Sequence, residues 1–196
     1  MELQVVGWLL AGALVVYGLV ERARVQRSAP PDAKVKDAPV GKYVRIVGRI
    51  VDGGALVAPI TGRACVSFDA VVFVHDRVRA RGVRGTPFIV DDGSGRILVD
   101  PRGAFIHVTY DHSMVGPLDR TKVADPDLVA HLLDAGYARF DEGVLTIGER
   151  VAVVGLVSEA RGADDDPVYR RLAATELRLT GAADRPAMVS ERPEEL

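Results

Sequence analysis

The sequence predicts a mainly β, barrel-like domain with one or two short helices, set behind a single N-terminal transmembrane helix. Three observations carry that expectation. An uncharged apolar run fills residues 3–20. From about Lys42 onward, apolar and polar residues alternate over strand-length runs. Glycine (20 residues) and proline (11) are frequent and scattered, as turns between many short strands require.

Within residues 3–20, Gln4 is the only strongly polar side chain. At 1.5 Å per residue the run makes roughly 27 Å of helix, close to the hydrocarbon thickness of a bilayer. Trp8 and Tyr17 stand toward its two ends, as interfacial aromatics do. A cleavable signal peptide would start basic and offer small residues at a cleavage site. This chain starts Met1-Glu2 and continues Glu21-Arg22-Ala23-Arg24-Val25. A buried core helix would show a polar face, and none is present. Residues 1–21 are therefore read as an uncleaved anchor. Arg22, Arg24, Arg27, Lys34 and Lys36 follow it, so the positive-inside rule places the main domain in the cytoplasm of a bacterial host. The same cations suit lipid headgroups, which makes the bilayer the first expected partner.

Residues 22–39, charged and carrying Pro30-Pro31, read as a linker, and 40–196 as one β-rich domain. The net charge of −2 argues against a dedicated nucleic-acid binder. Strand signals begin with Val44, Ile46, Gly48 and Ile50 on one face and Arg45 and Arg49 on the other. The run 65–74 places Val66, Phe68, Ala70, Val72 and Val74 together. The arginine-rich stretch His75–Gly85 reads as a solvated loop, with contact to anionic lipid as its sharper use. Two apolar runs flanking Asp92-Gly93-Ser94-Gly95 make a hairpin, whose glycines suit positive φ. Asp100-Pro101 ends its second strand, because proline lacks the ladder donor. An apolar run, Ala104–Tyr110, follows. Asp125, Pro126, the stripe Leu128, Val129, Leu132, Leu133 and then Gly136 predict a short helix. Gly148 turns the chain into the strand of Val151, Val153, Gly155 and Val157. Asp164-Asp165-Asp166 reads as an exposed acidic turn, and 168–172 and 177–179 as the last strands.

Chemistry-bearing residues are few. Cys65 follows the turn shaped by Pro59 and Gly62, and reads as a small buried structural thiol. One cysteine excludes an intramolecular disulfide and a cysteine-based zinc cluster. His107, Asp111 and His112 lie close in sequence, but on a strand running into a loop they point different ways, so no metal and no cofactor is expected. Gly93-Ser94-Gly95 precedes a strand and not a helix, so it is no phosphate loop. No nucleophile-elbow, Walker or His-Glu-x-x-His pattern occurs.

Four ordered pieces resemble one family: 47–50 with 58–65, 87–95 with 97–104, 141–145 through 148–155, and Ser190-Glu191-Arg192. Their order is similar to the GIDE domain, also called the beside-a-membrane domain. That domain occurs in mitochondrial membrane-anchored ubiquitin and SUMO ligases and in many prokaryotic membrane proteins. The resemblance covers about residues 40 to 192. It implies a β-rich, membrane-adjacent domain that binds partners or senses something at the bilayer. In the ligases a separate RING carries the transferase role, and a RING needs about eight Cys and His ligands. This chain holds a single cysteine, so the expectation is a member without the RING; with the sequence ending at Leu196, the second membrane helix common in the family is not expected either.

The expected function is thus a single-pass membrane-anchored interaction module without catalysis, binding an unidentified protein. Pro59, Gly62, Cys65, Asp92, Gly93, Gly95, Asp100, Pro101, Gly148 and Gly155 serve as its scaffold residues. Trp8, Tyr17, Arg22, Arg24 and Arg27 serve at the membrane interface. The alternative is a membrane-associated enzyme, ligase-like or a hydrolase built on Cys65 or on His107, Asp111 and His112.

Overall fold

The computed structural model of the chain describes residues 30–117, 136–160, 177–182 and 184–196. The chain divides into two units, residues 1–31 and residues 32–196. The apolar run 3–20, with Trp8, Tyr17, Arg22, Arg24 and Arg27, lies outside the described residues. Among those described, no helix is long and apolar enough to cross a membrane.

The larger unit is built on a five-stranded barrel. Its first strand, β1 (Tyr43–Gly53), buries Val44, Ile46 and Ile50 completely and turns Arg49 outward. The predicted alternation is therefore the observed one. Along one flank β1 pairs antiparallel with β11 (Arg150–Glu159), from Tyr43 opposite Leu156 to Arg49 opposite Arg150. Along the other it pairs with β6 (Phe88–Asp91), through a bulge between Ile50 and Asp52. Such a bulge bends and twists a strand, which helps a short sheet close. β6 forms the predicted hairpin with β7 (Arg96–Val99). β7 runs parallel to β12 (Leu177–Thr180), and β12 returns antiparallel to β11. Counted along the chain, the fourth barrel strand lies beside the first, the Greek-key return. The fifth fills the gap between third and fourth, and the result is a closed five-stranded Greek-key barrel of the OB type. Beside β12, β11 also carries β13 (Met188–Ser190), which pairs in parallel with β8 (Phe105–His107).

The barrel core contains Val44, Ile46, Ile50, Phe88, Val90, Ile97, Val99, Val151, Val153, Val157 and Leu179. Each fully buried side chain of this size contributes about 1.5–3 kcal/mol. Val35, on a 3-10 turn (Val35–Asp37), joins this core at 3% exposure. The tip of the β6–β7 hairpin holds that turn in place. The Val35 amide donates to Asp92 Oδ2 at 3.1 Å, and the Lys36 amide to Ser94 Oγ at 3.3 Å.

Two long connections of the barrel fold against each other. The first supplies the hairpin β2 (Leu56–Val57) and β3 (Ala64–Cys65), then β4 (Ser67–Val74) and β5 (Arg77–Gly85). The second supplies β9 (His112–Pro117) and β10 (Tyr137–Leu145). They combine into an antiparallel sheet of order β5-β4-β10-β9. Its covered face packs Phe68, Ala70, Val72, Val74, Ala138, Phe140 and Val144 against Ala58 and Cys65 of the hairpin. Val66 and Leu145 belong to the barrel core, so β4 and β10 grow directly out of it.

Two expectations need correction. The His75–Gly85 stretch is not a loop: nearly all of it is β5, paired with β4 along its length. His75 and Asp76, both at positive φ (51° and 58°), make the two-residue reversal that a tight hairpin requires. Gly93 has the expected positive φ (82°), but Gly95 does not. A β-carbon on Gly95 would lie 3.1 Å from Val35 Cγ1, so the constraint there is space. The described residues contain only two 3-10 turns, Val35–Asp37 and Pro193–Glu195, and no α-helix. The helix expected at 125–136 and the acidic turn at 164–166 lie outside the described residues, Gly136 excepted.

Candidate functional site

Four acidic groups stand out by burial, and each is engaged. Glu142 sits on β10 in register with Ala138, Phe140 and Val144, on the covered face of the sheet, with no exposed surface. Its carboxylate accepts the Ile60 amide at 2.7 Å, the Thr61 amide at 3.1 Å and the Thr61 hydroxyl. It thereby fixes the Pro59–Gly62 turn over the sheet, with Gly62 at φ 71°. Arg63 extends the knot: Nη2 lies 3.9 Å from Glu142, and Nη1 and Nη2 donate to Asp111 at 2.5 and 2.7 Å. This bond from Arg63 holds the Asp111 carboxyl below its ordinary value.

Asp69 of β4 takes two bonds from Arg81 of β5, at 3.0 and 2.6 Å, and a third from the Tyr110 hydroxyl at 3.1 Å. Asp100 closes β7 and accepts from the Arg102 amide and guanidinium and from Arg178 of β12. Pro101 follows it, buried. Asp92 Oδ1 accepts the Ser94 amide at 2.8 Å and its hydroxyl at 2.7 Å. Burial opposes the charge of Asp92, yet Ser94, the Val35 amide and Lys34 together hold its carboxyl below the usual value.

Cys65 is buried, its thiol directed to the Leu56 carbonyl at 3.8 Å. Desolvation, then the nearby Glu142 charge, push this thiol up to about 11. At neutral pH it is protonated and a poor nucleophile. It is expected to resist a thiol reagent at pH 7 in the native state and to react stoichiometrically once unfolded. Absorbance of the released chromophore measures this, and rapid native labelling would show that the Leu56–Cys65 hairpin opens.

The residues of the enzyme alternative are not assembled. Asp111 is bound to Arg63, while His107 lies on β8 with Nδ1 3.2 Å from Glu195 and 3.5 Å from Ser190 Oγ. A serine–histidine–acid relay needs the serine and the acid on opposite ring nitrogens. Here both face Nδ1, and the buried Ser190 hydroxyl is held by the Arg192 backbone at 3.2 and 3.0 Å. Among the described residues, no three His, Cys, Asp or Glu side chains converge on a metal position. The scaffold positions divide by physics. Gly148 (φ 97°) serves a turn, whereas Gly155 has no room for a β-carbon.

Two surface features remain. Among the described residues β5 is the outer strand of its sheet, with exposed Arg77, Arg79 and Arg84 and with Val78 and Val83 57% and 41% exposed. A groove of about 620 Å³ runs over the barrel wall beside β1, the β6–β7 tip and Arg150. Sequence reasoning missed Glu142, Asp69 and the Arg49–Arg150 opposition. Only Glu142 left a local signal, an acid at an apolar register position of its strand.

The GIDE family model, described as E3 Ubiquitin ligase, matches residues 73–166. The match enters within β4 and runs past β11, so it takes in β5 through β11 and leaves out β1 and β12. No curated protein matches the chain. No solved structure matches it either.

Proposed function

For a chain that carries the GIDE domain over residues 73–166, we propose a single-pass membrane-anchored interaction module that docks an acidic, extended partner segment along β5. The observation that carries the reading is the outer edge of β5, which no other described strand pairs, with its arginines. An unpaired edge offers backbone donors and acceptors to an incoming strand. Arg77, Arg79 and Arg84 repel a second copy of the same edge and attract an acidic segment. Val78 and Val83 add apolar contact on the face shared with Asp69 and Val71. The apolar run 3–20 and the basic flank Arg22, Arg24 and Arg27 support the anchor and a cytoplasmic domain.

The family's description favours a second reading, participation in ubiquitin transfer. One cysteine cannot hold the two zinc ions of a RING, and a thiol raised to about 11 does not accept a thioester readily. Recruitment is the role left to these residues.

The test captures partners from membranes with the intact protein and with an Arg77→Glu, Arg79→Glu variant. Loss of the wild-type partners in the variant, with the melting temperature kept, is expected. The intact chain should also stay in the pellet after alkaline carbonate, and residues 21–196 should be released. Unchanged capture would end the β5 reading. Discharge of a ubiquitin-loaded conjugating enzyme by the pure chain would favour the transferase.

A further inference from the structure

Arg49 and Arg150 are directly opposed on β1 and β11. Opposed residues of an antiparallel pair leave the same face with β-carbons about 4.5–5.5 Å apart, and like charges so placed repel. Natural sheets relieve such a pair with a nearby carboxylate, and here the nearby carboxylates are committed. Asp91, which faces Arg49 from the other flank, accepts the Gly93 amide at 2.8 Å and Arg96 Nε at 3.1 Å. Asp92 is held within the hairpin tip, with Lys34 Nζ at 3.8 Å. Arg49 spends one donor on the Gly148 carbonyl at 2.8 Å. Among the described residues neither guanidinium enters an ion pair. Both line the 620 Å³ groove, together with Lys34 and the two committed carboxylates Asp91 and Asp92, and Val47 and Val51 form an apolar side of it.

We propose that this groove binds a phosphate ester, with Arg49 and Arg150 gripping the phosphate and Lys34 adding charge. The planar guanidinium fork matches phosphate oxygens two at a time, and two forks side by side match one phosphate from adjacent directions. A bound dianion turns the repulsion between the arginines into attraction through a shared ligand. The groove is far larger than a bare phosphate, so it has room for the esterified group, against Val47 and Val51. Lys34 follows the apolar run and its basic flank in sequence. The ester is therefore either a lipid headgroup or a free small molecule, and the chemistry of recognition is the same.

The test uses the full chain in neutral detergent micelles, with glycerol phosphate in solution in one arm and phosphatidic acid doped into the micelles in the other. Thermal unfolding and phosphorus resonance linewidth are read for wild type, Arg49→Gln, Arg150→Gln and the control Arg79→Gln. We expect a ligand-dependent rise in melting temperature in wild type and in Arg79→Gln. Each groove variant should bind about tenfold more weakly, the loss of one charge-assisted fork. A rise with doped micelles alone assigns the ligand to lipid, and a rise with glycerol phosphate assigns it to a free ester. Without ligand, Arg150→Gln should melt no lower than wild type, since the facing charge is gone. No rise in either arm, a rise that survives both groove variants, equal loss in Arg79→Gln, or a lower ligand-free melt of Arg150→Gln would each overturn the proposal.

Discussion

Glu142→Ala is expected to cost about 3–5 kcal/mol of folding stability, the range for removing one partner of a buried charged contact. The Ile60 and Thr61 amides and the Thr61 hydroxyl all donate to this one carboxylate. Each buried donor left unsatisfied costs about 1–3 kcal/mol, and the missing side chain leaves a cavity as well. Against a total of about 5–15 kcal/mol, the loss takes a fifth or more of the stability of a typical domain. Glu142→Gln should lose less, because one acceptor oxygen stays, while its amide group must face a donor. The damage should be concentrated under the Pro59–Gly62 turn, so Cys65 should label faster in Glu142→Ala than in wild type. Urea unfolding followed by circular dichroism measures the first effect. A loss below about 1 kcal/mol would mean that water replaces the carboxylate, contrary to its complete burial.

Gly155→Ala should be among the most harmful single-methyl changes in the barrel. The added β-carbon would lie 2.3 Å from Leu179 Cδ2 and 2.7 Å from the Thr180 carbonyl oxygen. Leu179 is fully buried and Thr180 O is backbone, so neither can step aside cheaply. Propensity alone would favour alanine over glycine in a strand by about 0.5–1 kcal/mol. Overpacking costs about 1–3 kcal/mol, and here a backbone contact is added, so the steric term wins. Gly148→Ala is the contrast: nothing lies within 4 Å of its β-carbon, and only the φ of 97° opposes it. Melting temperatures should fall further for Gly155→Ala than for Gly148→Ala. Leu179→Ala should cost less in the Gly155→Ala background than in wild type, because the two sites share one space. Strict additivity would show that the β11–β12 contact adjusts elsewhere.

What the sequence determined by itself was local. The alternation of Val44, Ile46 and Ile50, the hairpin around Asp92 and Gly93, and the stop at Asp100-Pro101 rest on near neighbours and on backbone chemistry. A reader of residues alone can therefore find them. The stretch Arg77–Gly85 was misread because its strand identity is conferred by β4. Arg81 is ordered by Asp69, and the hydrogen bonds of the segment belong to the pairing and not to its own propensities. Closure of the barrel was also a tertiary decision. It depends on β7 lying parallel to β12 and on β1 meeting β11, contacts between residues far apart in the chain. Glu142 reads as a misplaced acid until Ile60 and Thr61, 82 and 81 positions earlier, arrive above it. The same holds for Arg49 and Arg150, ordinary surface arginines in sequence, which only the register of β1 on β11 sets face to face. Periodicity records which face of a strand is buried, and it holds no information about which strand lies alongside. That pairing decides which charges oppose, which donors meet a carboxylate and where a glycine is indispensable.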